Sequence, residues 1–362
     1  MPGKNIHKEP FDDGTLLKLD IFQKYLKEWL PVFLNWAFGT VQINIVDFFA
    51  GQGKDVNGIP GSPILIIQEI LAHKSEIEIK KVKIRVIVNE LNKDKYKMLD
   101  SEITPFKESF FELIVENEPF EKCFHKHFDK LADPNAANYI FLDQNGIKEI
   151  TEGIFAKLIA LKRTDILFFI SSSYLKRFKG MPEFKKYLDT DRIPFDESNH
   201  HSCHRAVFDF YKAQIPGDKE YYLAPFSLKK GRNIYGLIFG SNHTYGIEKF
   251  LKICWNLDRQ RGDSNYDIDS DRIDTNAPSL FKEFNIPKKV QVFENEMKNY
   301  TLKEEKQSLR NIYRFGLDKG FQPKHVNKIL KELKDNGKID FDSKLTSDKI
   351  HKLDFSLEIK RL

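Results

Sequence analysis

The spacing of apolar residues predicts that the chain alternates between helices and strands. Between residues 15 and 34, apolar side chains recur at helical intervals, which indicates a long amphipathic helix packed on a core. Residues 43–49 form a short apolar run that ends at Gly51 and Gly53, a pattern typical of a buried strand followed by a tight turn. Ser62, followed by a proline, then predicts the N-cap of a helix over residues 64–71.

The same alternation continues further along the chain. Short β-branched or aromatic runs predict strands, and segments with helical spacing follow most of them. The predicted strands are residues 82–88, 139–142, 166–171 and 233–240, and the predicted helices are residues 93–99, 151–161 and 247–257. Strands that alternate with helices favour a doubly wound, mainly parallel sheet, so the predicted fold class is α/β.

A change of composition separates this part of the chain from its C-terminal segment. Residues 258–287 are polar and acidic and hold few large apolar side chains, and we interpret them as a boundary loop. Beyond them, residues 302–317 and 322–336 predict two helices and residues 338–341 a strand, the pattern of a helix-turn-helix with a wing. We therefore predict an α/β domain over residues 1–270 and a small winged-helix domain over residues 271–362.

Composition narrows the class of protein. The 362 residues are 41% hydrophobic and 31% charged, as in a globular protein, and no apolar stretch suits a membrane-spanning helix or a signal peptide. The three cysteines are far apart, which argues against a disulfide framework and predicts a cytoplasmic location. The net charge of +5 permits contact with a polyanion without requiring it.

Acidic residues at the ends of predicted strands are the main candidates for a ligand site. In an open parallel sheet, ligands bind beyond the carboxyl ends of the strands. Asp47 ends the first strand, and Gly51 and Gly53 would let a ligand approach the backbone closely. Glu90 ends the second strand, where such folds commonly present a carboxylate to ribose hydroxyls. This set suits S-adenosylmethionine, whose tail carries an ammonium group, whereas the third glycine of a dinucleotide fingerprint is absent.

Two polar residues follow the predicted strand at residues 139–142. Asp143 would face the same crevice and could orient or deprotonate a nucleophile there. Asn145 either forms hydrogen bonds in this site or, with Gly146, makes a simple turn. The predicted catalytic residues are Asp143 and Asn145.

Together these motifs resemble the three-Cys-motif partner (TcmP) family, a group of methyltransferase-like bacterial proteins. The stretch VDFFAGQGKDVNGIPGSP is similar to the family's Asp-Gly-Phe-Ala-Gly-Pro-Gly turn and downstream Gly-Ser-Pro, and LDQNG is similar to its Asp-Pro-Phe-Gly motif. The N-terminal helix carries the family's Thr15, Lys18 and Tyr25-Leu26. The resemblance implies a Rossmann-like class I methyltransferase fold with a fused winged helix, adenosylmethionine as the cofactor, and an iron–sulfur type partner protein with three cysteines.

The resemblance also assigns residues to the cofactor site. Phe48 stands where the family usually has glycine, and it is included in the predicted cofactor site together with its neighbours. The complete predicted cofactor set, with Glu90 from the strand pattern, is Asp47, Phe48, Ala50, Gly51, Gly53 and Glu90.

One departure from the family leaves a second function open. Gln144 and Asn145 replace the family's Pro-Phe, and the chain lacks the Asp/Asn-Pro-Pro-aromatic turn of amino-group methyltransferases. The chain is therefore predicted either to methylate an acceptor such as nucleic acid or to be a non-catalytic binding module that acts through its winged helix and its partner.

The second helix of the C-terminal domain has an apolar stripe that is expected to be buried. Basic residues between the stripe positions would then point outward, as in a helix that contacts DNA or RNA, although such a face can also be solvated or bind protein. The predicted nucleic-acid contacts are Lys324, His325, Lys328 and Lys331. The histidine-rich residues 200–204 lack the paired spacing of metal ligands, so no metal site is predicted.

Overall fold

The computed structural model describes residues 10–35, 42–106, 110–144, 146–341, 345, 350–352 and 357–362. Its main feature is a seven-stranded sheet with the order β3-β2-β1-β4-β5-β7-β6, in which β7 runs opposite to the other six strands. The strands are β1 (Gln42–Asp47), β2 (Lys83–Asn89), β3 (Phe111–Glu116), β4 (Ala136–Leu142), β5 (Thr164–Ile170), β6 (Tyr222–Lys230) and β7 (Asn233–Ser241). This is the mostly parallel sheet of the class I methyltransferase fold, as predicted.

Helices cover both faces of the sheet, because the central strands are apolar on both sides. They are α1 (Asp13–Leu34), α2 (Ser62–Ala72), α3 (Lys74–Lys80), α4 (Lys93–Ile103), α5 (Phe120–Ala132), α6 (Glu152–Ala160), α7 (Ser172–Phe178), α8 (Pro182–Lys185), α9 (Cys203–Lys212) and α10 (Thr244–Leu257). One apolar core lies between the sheet and α1, α2 and α10, and a second lies between the sheet and α5, α6 and α9. The doubly wound arrangement is therefore confirmed.

A winged helix follows. Its elements are α11 (Lys288–Thr301), β8 (Lys306–Ser308), α12 (Leu309–Asp318), α13 (Pro323–Asp335), β9 (Ile339–Asp340) and β10 (Glu358–Arg361), and its three strands pair antiparallel in the order β8-β10-β9. The predicted helix over residues 302–317 begins too early, because residues 306–308 pair with β10 instead of continuing the helix. This pairing joins segments far apart in sequence, so local spacing does not reveal it.

The winged helix packs against the larger domain. Helix α12 lies against α10 and β6, where the Arg314 guanidinium donates a hydrogen bond to the Tyr222 hydroxyl over 2.8 Å. The Trp255 indole at the end of α10 donates to the carbonyl of Gly320 over 2.9 Å, at the turn between α12 and α13. A single cluster of buried apolar residues runs through both units, so the winged helix and the larger domain share a core.

The acidic segment that was interpreted as a boundary loop is folded. Arg261 forms ion pairs with Asp267 at 3.1 Å and Asp271 at 3.0 Å. Asp263 is buried and accepts ion pairs from Arg205 and Lys289, each at 3.1 Å. Burial works against its charge, but Lys289 and Arg205 hold the pKa of Asp263 below its usual value. The predicted boundary between residues 270 and 271 lies within this network of charges.

Candidate functional site

The order of the strands creates a crevice at the carboxyl edge of the sheet. The chain leaves β1 for α2 on one face, whereas it leaves β4 for α6 on the other face. Because β1 and β4 are neighbours, their diverging connections open a cleft between them, the position at which open parallel sheets bind ligands. Asp47 and Asp143 stand at the ends of these two strands.

Asp47 is fully buried at the end of β1. One carboxylate oxygen accepts a hydrogen bond from the Ser62 hydroxyl over 2.6 Å, and the other accepts from the backbone N–H of Phe49 over 3.0 Å. Burial outweighs these contacts and raises the pKa of Asp47 to about 7. The group therefore exchanges a proton near neutral pH, and a cation placed beside it would favour the charged form. Ser62 was predicted as an N-cap, but Gly61 holds that position and the Ser62 hydroxyl serves Asp47 instead.

The turn after β1 exposes backbone rather than side chains. Gly51 and Gly53 have φ values of 65° and 89°, which glycine adopts without strain. At Gly51 no heavy atom lies within 4 Å of the position that a Cβ would occupy, so the turn is open to a ligand there. Ala50 is buried, and its N–H donates to the carbonyl of Asn89 at the end of β2 over 2.9 Å.

Glu90 ties this turn to the second strand. One of its carboxylate oxygens accepts from the N–H of Gly51 over 3.0 Å, and the other accepts from the N–H of Asn92 over 2.7 Å. A carboxylate has about four acceptor positions, so Glu90 retains capacity for two hydroxyl groups such as those of a ribose. The open turn, the buried acid and this carboxylate fit the chemical groups of adenosylmethionine.

Phe48 does not share this environment. Its ring is fully buried in the core on the opposite face of the sheet, with ring centroids 5.3 Å from Phe120 and 5.9 Å from Phe124. This corrects the expectation that its side chain lines the cofactor site, because the pleat of β1 alternates the direction of successive side chains. The backbone amide of Phe48 bonds to the carbonyl of Phe141 at 3.3 Å.

The other side of the crevice contains a charged pair that sequence reasoning did not identify. The Lys18 ammonium of α1 donates to Asp143, whose side chain is 25% exposed whereas that of Lys18 is 9% exposed. Lys18 also lies 4.6 Å from the centroid of the Phe169 ring, which stacks on Tyr235. A lysine on the apolar face of the predicted helix was the available signal for this role.

Gln144, the residue directly after Asp143, has its side chain inside the protein. Gln144 is buried, and its side-chain oxygen accepts from the N–H of Glu149 over 3.0 Å. Its side chain is therefore packed inside the fold, where its amide nitrogen has no hydrogen-bond partner among the described residues. The predicted catalytic residue Asn145 lies outside the described residues.

A buried Ser–His pair lies near the same edge but is closed to solvent. The Ser172 hydroxyl and His204 Nδ1 are 2.8 Å apart, and His204 Nε2 is 3.0 Å from the carbonyl of Leu237. Burial lowers the pKa of His204 to about 4, so the ring is neutral. Neither side chain is exposed, which makes the pair part of the packing. In the part of the chain that the structure covers, no group of three His, Cys, Asp or Glu residues could hold a metal ion.

Three of the predicted nucleic-acid contacts are exposed on α13. Lys324 and Lys331 face solvent, and Lys328 is 71% exposed although it pairs with Glu294 at 3.1 Å. The apolar stripe between them is buried, as predicted: Val326, Ile329, Leu330 and Leu333. The outward lysine face of this helix is thus present.

His325 occupies a different position from these lysines. Its ring centroid lies 4.2 Å from that of Trp255 and 5.6 Å from that of Phe321, and its Nδ1 accepts from the N–H of Gln322 over 3.1 Å. Burial lowers the pKa of His325 to about 4, so it carries no charge for a phosphate. The expectation that it points outward is corrected, because it packs between the two domains.

The first turn of α13 lies at the same edge of the sheet as the crevice. Helix α1 starts at this edge, where Lys18 donates a hydrogen bond to Asp143. Helix α10 runs antiparallel to α1, and Glu28 of α1 forms an ion pair with Lys249 of α10. Because β7 ends at the opposite edge, α10 returns toward the carboxyl edge and ends beside His325 of α13. The first turn of α13, which carries Lys324, and the carboxylates of the crevice are therefore at the same end of the molecule.

Comparison with known proteins matches a family model to the C-terminal domain and finds solved structures with distant similarity to the rest. Residues 266–345 match the family model of the GMT-like wHTH domain. The chain is similar to the O-methyltransferase TomG from Streptomyces achromogenes, involved in tomaymycin synthesis and solved with SAM, at 12% identity over 65% of this chain and 91% of that one, with a TM-score of 0.33. It is also similar to the O-methyltransferase from Bacillus cereus in complex with SAH, at 12% identity over 64% and 91% of the two chains, with a TM-score of 0.34.

No curated protein matches the chain. Among the described ranges, no helix is both long and apolar enough to cross a membrane.

Proposed function

We propose that the protein is an S-adenosylmethionine-dependent methyltransferase. The observation that carries this proposal is the crevice itself: a buried acid at the end of β1, an open glycine turn and a carboxylate at the end of β2 meet at the switch point of the sheet. When bound, adenosylmethionine supplies a methyl group activated by a sulfonium.

The residues of the crevice have distinct roles in this proposal. Asp47 would balance the positive charge of the cofactor, and Glu90 would accept hydrogen bonds from its ribose hydroxyls. Asp143, held by Lys18 at the partly exposed side of the crevice, would orient the acceptor and receive its proton. Direct transfer requires little more than this, because holding the two reactants in line provides much of the rate.

We propose nucleic acid as the acceptor. Support comes from the lysine face of α13, whose first turn lies at the same end of the molecule as the crevice. Lys324, Lys328 and Lys331 would contact phosphates and place the nucleic acid beside Asp143. The resemblance to the TcmP family adds a three-cysteine, iron–sulfur type partner protein to the proposal.

Calorimetry tests the cofactor site directly. The wild type should bind adenosylmethionine and adenosylhomocysteine with micromolar affinity, and Asp47→Ala should lose this binding, whereas the exposed control Asp129→Ala should not. If the charged form of Asp47 is required, adenosylmethionine should bind about tenfold more weakly at pH 6 than at pH 8, because a pKa of about 7 leaves about a tenth of the sites charged at pH 6. Unchanged affinity in Asp47→Ala would refute the assignment.

A second function is favoured by one observation. Gln144 is turned into the fold, so the position after Asp143 adds no wall to an acceptor pocket. The protein would then be a binding module that keeps the crevice and acts through its winged helix. Transfer of a labelled methyl group to DNA, RNA or a partner protein, lost in Asp143→Asn, would exclude this alternative. Cofactor binding without transfer to any of them would favour it.

A further inference from the structure

Two large aromatic side chains face solvent in the loop before the winged helix. Phe281 is 63% exposed and Phe284 is 65% exposed, and their ring centroids are 5.9 Å apart in an edge-to-face arrangement. Leu280 and Val292 flank them and are also exposed. Single exposed apolar residues are common, but a group of this size marks an interaction surface.

The loop that presents these rings is a closed structure and not a loose connection. The Ser279 N–H donates to the side-chain oxygen of Asn285, and the Asn285 amide donates back to the carbonyl of Ser279, both over 2.8 Å. The Gln291 amide on α11 donates to the carbonyls of Glu283 over 3.0 Å and Ile286 over 2.8 Å. These bonds hold the rings outward, where neither ring belongs to a core.

A cavity of about 340 Å³ adjoins this loop. It lies between the end of α10, the loop and α13, and its lining includes Arg259, Ile273, Ile286, Val290 and Lys328. Its volume is within the range of small-molecule sites, and its mainly apolar lining also includes the charged side chains of Arg259, Lys328 and Glu294. Lys328 belongs both to this lining and to the lysine face of α13, so the two surfaces are continuous.

The charges around the rings favour an anionic occupant. Within the described part of the chain, Arg259, Lys282 and Lys324 have no ion-pair partner. Among the acids nearby, Asp263, Asp267, Asp269 and Asp271 pair with Arg205, Arg261 and Lys289, whereas Asp274 and Glu283 have no ion-pair partner in the described ranges, so the unpaired cations outnumber the unpaired acids. Exposed aromatic rings among unpaired cations are the arrangement with which proteins bind unpaired nucleotides, because bases stack on the rings while phosphates meet the cations.

We infer that the surface of Phe281, Phe284 and the adjoining cavity binds unpaired nucleotides, next to the lysine face of α13. The ligand is a single strand, a bulge or an opened base pair, and its bases stack on the two rings. This site is separate from the crevice and does not require methyl transfer.

The test uses the full-length protein and three labelled probes: a 12-nucleotide single strand, the same sequence as a blunt duplex, and that duplex with three unpaired nucleotides. The variant Phe281→Leu/Phe284→Leu keeps apolar bulk but removes the aromatic faces. It should bind the single strand and the bulged duplex about 5- to 150-fold more weakly for each stacked base, with little change for the blunt duplex. The variant Phe281→Trp/Phe284→Trp should retain or increase affinity, and Tyr187→Leu, at an exposed aromatic remote in sequence, should leave it unchanged.

Charge is tested separately. Arg259→Gln and Lys282→Gln should each reduce the slope of affinity against salt for the single strand by about one. Equal binding of all probes by wild type and the double leucine variant would overturn the inference. So would self-association of the wild type that the leucine variant retains, because the patch would then be an apolar protein interface.

These outcomes are distinguishable from those of the proposed function. The double leucine variant should bind adenosylhomocysteine as tightly as wild type. If single-strand binding depends on the rings while the wild type binds no adenosylmethionine, the methyltransferase proposal fails and this inference stands.

Discussion

Asp47 provides a sharp test, because its burial has a calculable consequence for stability. The carboxyl is fully buried, and burial raises its pKa from 3.8 to about 7. In the unfolded chain it regains its ordinary value, so between pH 3.8 and 7 the folded protein holds a proton that the unfolded chain has released. Raising the pH through this window therefore favours unfolding, and the stability that is complete below pH 3.8 is lost progressively up to about pH 7.

The magnitude follows from the interval between the two pKa values. Each pH unit in the window costs about 1.36 kcal/mol, so the whole interval corresponds to about 4 kcal/mol. Asp47→Asn has nearly the same shape and can still accept from the N–H of Phe49 and bond to the Ser62 hydroxyl, but it does not titrate. Relative to this variant, the free energy of unfolding of the wild type should fall by about 3 kcal/mol between pH 5 and pH 8.

Urea denaturation at four pH values measures this difference. Tryptophan fluorescence and circular dichroism should give coincident transitions, which is the condition for using a single free energy of unfolding. Asp129→Asn, at an exposed site, is the control and should follow the wild type at every pH. A difference between wild type and Asp47→Asn that stays constant from pH 5 to pH 8 would refute the reasoning, since Asp47 would then titrate as an exposed acid does.

Two further substitutions test the packing around the site. Gly236→Ala would place a Cβ 2.0 Å from Nε2 of the buried His204 and should lower the free energy of unfolding by about 3 kcal/mol, whereas Gly217→Ala has open space and should change it by less than about 0.5 kcal/mol; equal effects would contradict the packing. Trp255→Phe removes the indole hydrogen bond to Gly320 and should cost about 1 kcal/mol and speed proteolytic cleavage between the domains; unchanged stability and cleavage would mean that this contact does not hold the winged helix.

The sequence predicted the framework because local signals and tertiary structure agree there. Apolar runs such as residues 43–49 are buried on both faces, and the glycines at 51 and 53 adopt the positive φ that their position requires. The acids at strand ends were predicted as ligand contacts for a similar reason. A strand that is apolar along its length and ends in a carboxylate presents that charge to a ligand at the carboxyl edge of the sheet.

What the sequence could not predict depends on contacts between distant segments. Lys18 reaches Asp143 from a helix 125 positions earlier in the chain, and the ring of His325 is drawn inward by Trp255 of the other domain. Phe48 follows the same strand as Asp47, yet the pleat sends its side chain to the opposite core. In each case the helical or strand pattern allowed the side chain to point in either of two directions, and a contact with a residue elsewhere in the chain selected one of them.

The raised pKa of Asp47 bears on why an acid occupies this position. A fully buried carboxyl that titrates near pH 7 makes the ligand-free fold less stable at neutral pH than an uncharged isostere would. Its contacts with Ser62 and Phe49 could be made by asparagine at no such cost, so packing alone does not account for an acid at this position. A cation bound in the crevice would lower the pKa of Asp47 and return the lost stability as binding free energy. Strongly perturbed pKa values cluster at functional sites, which is the physical argument for the proposal that the positive end of the cofactor binds beside β1.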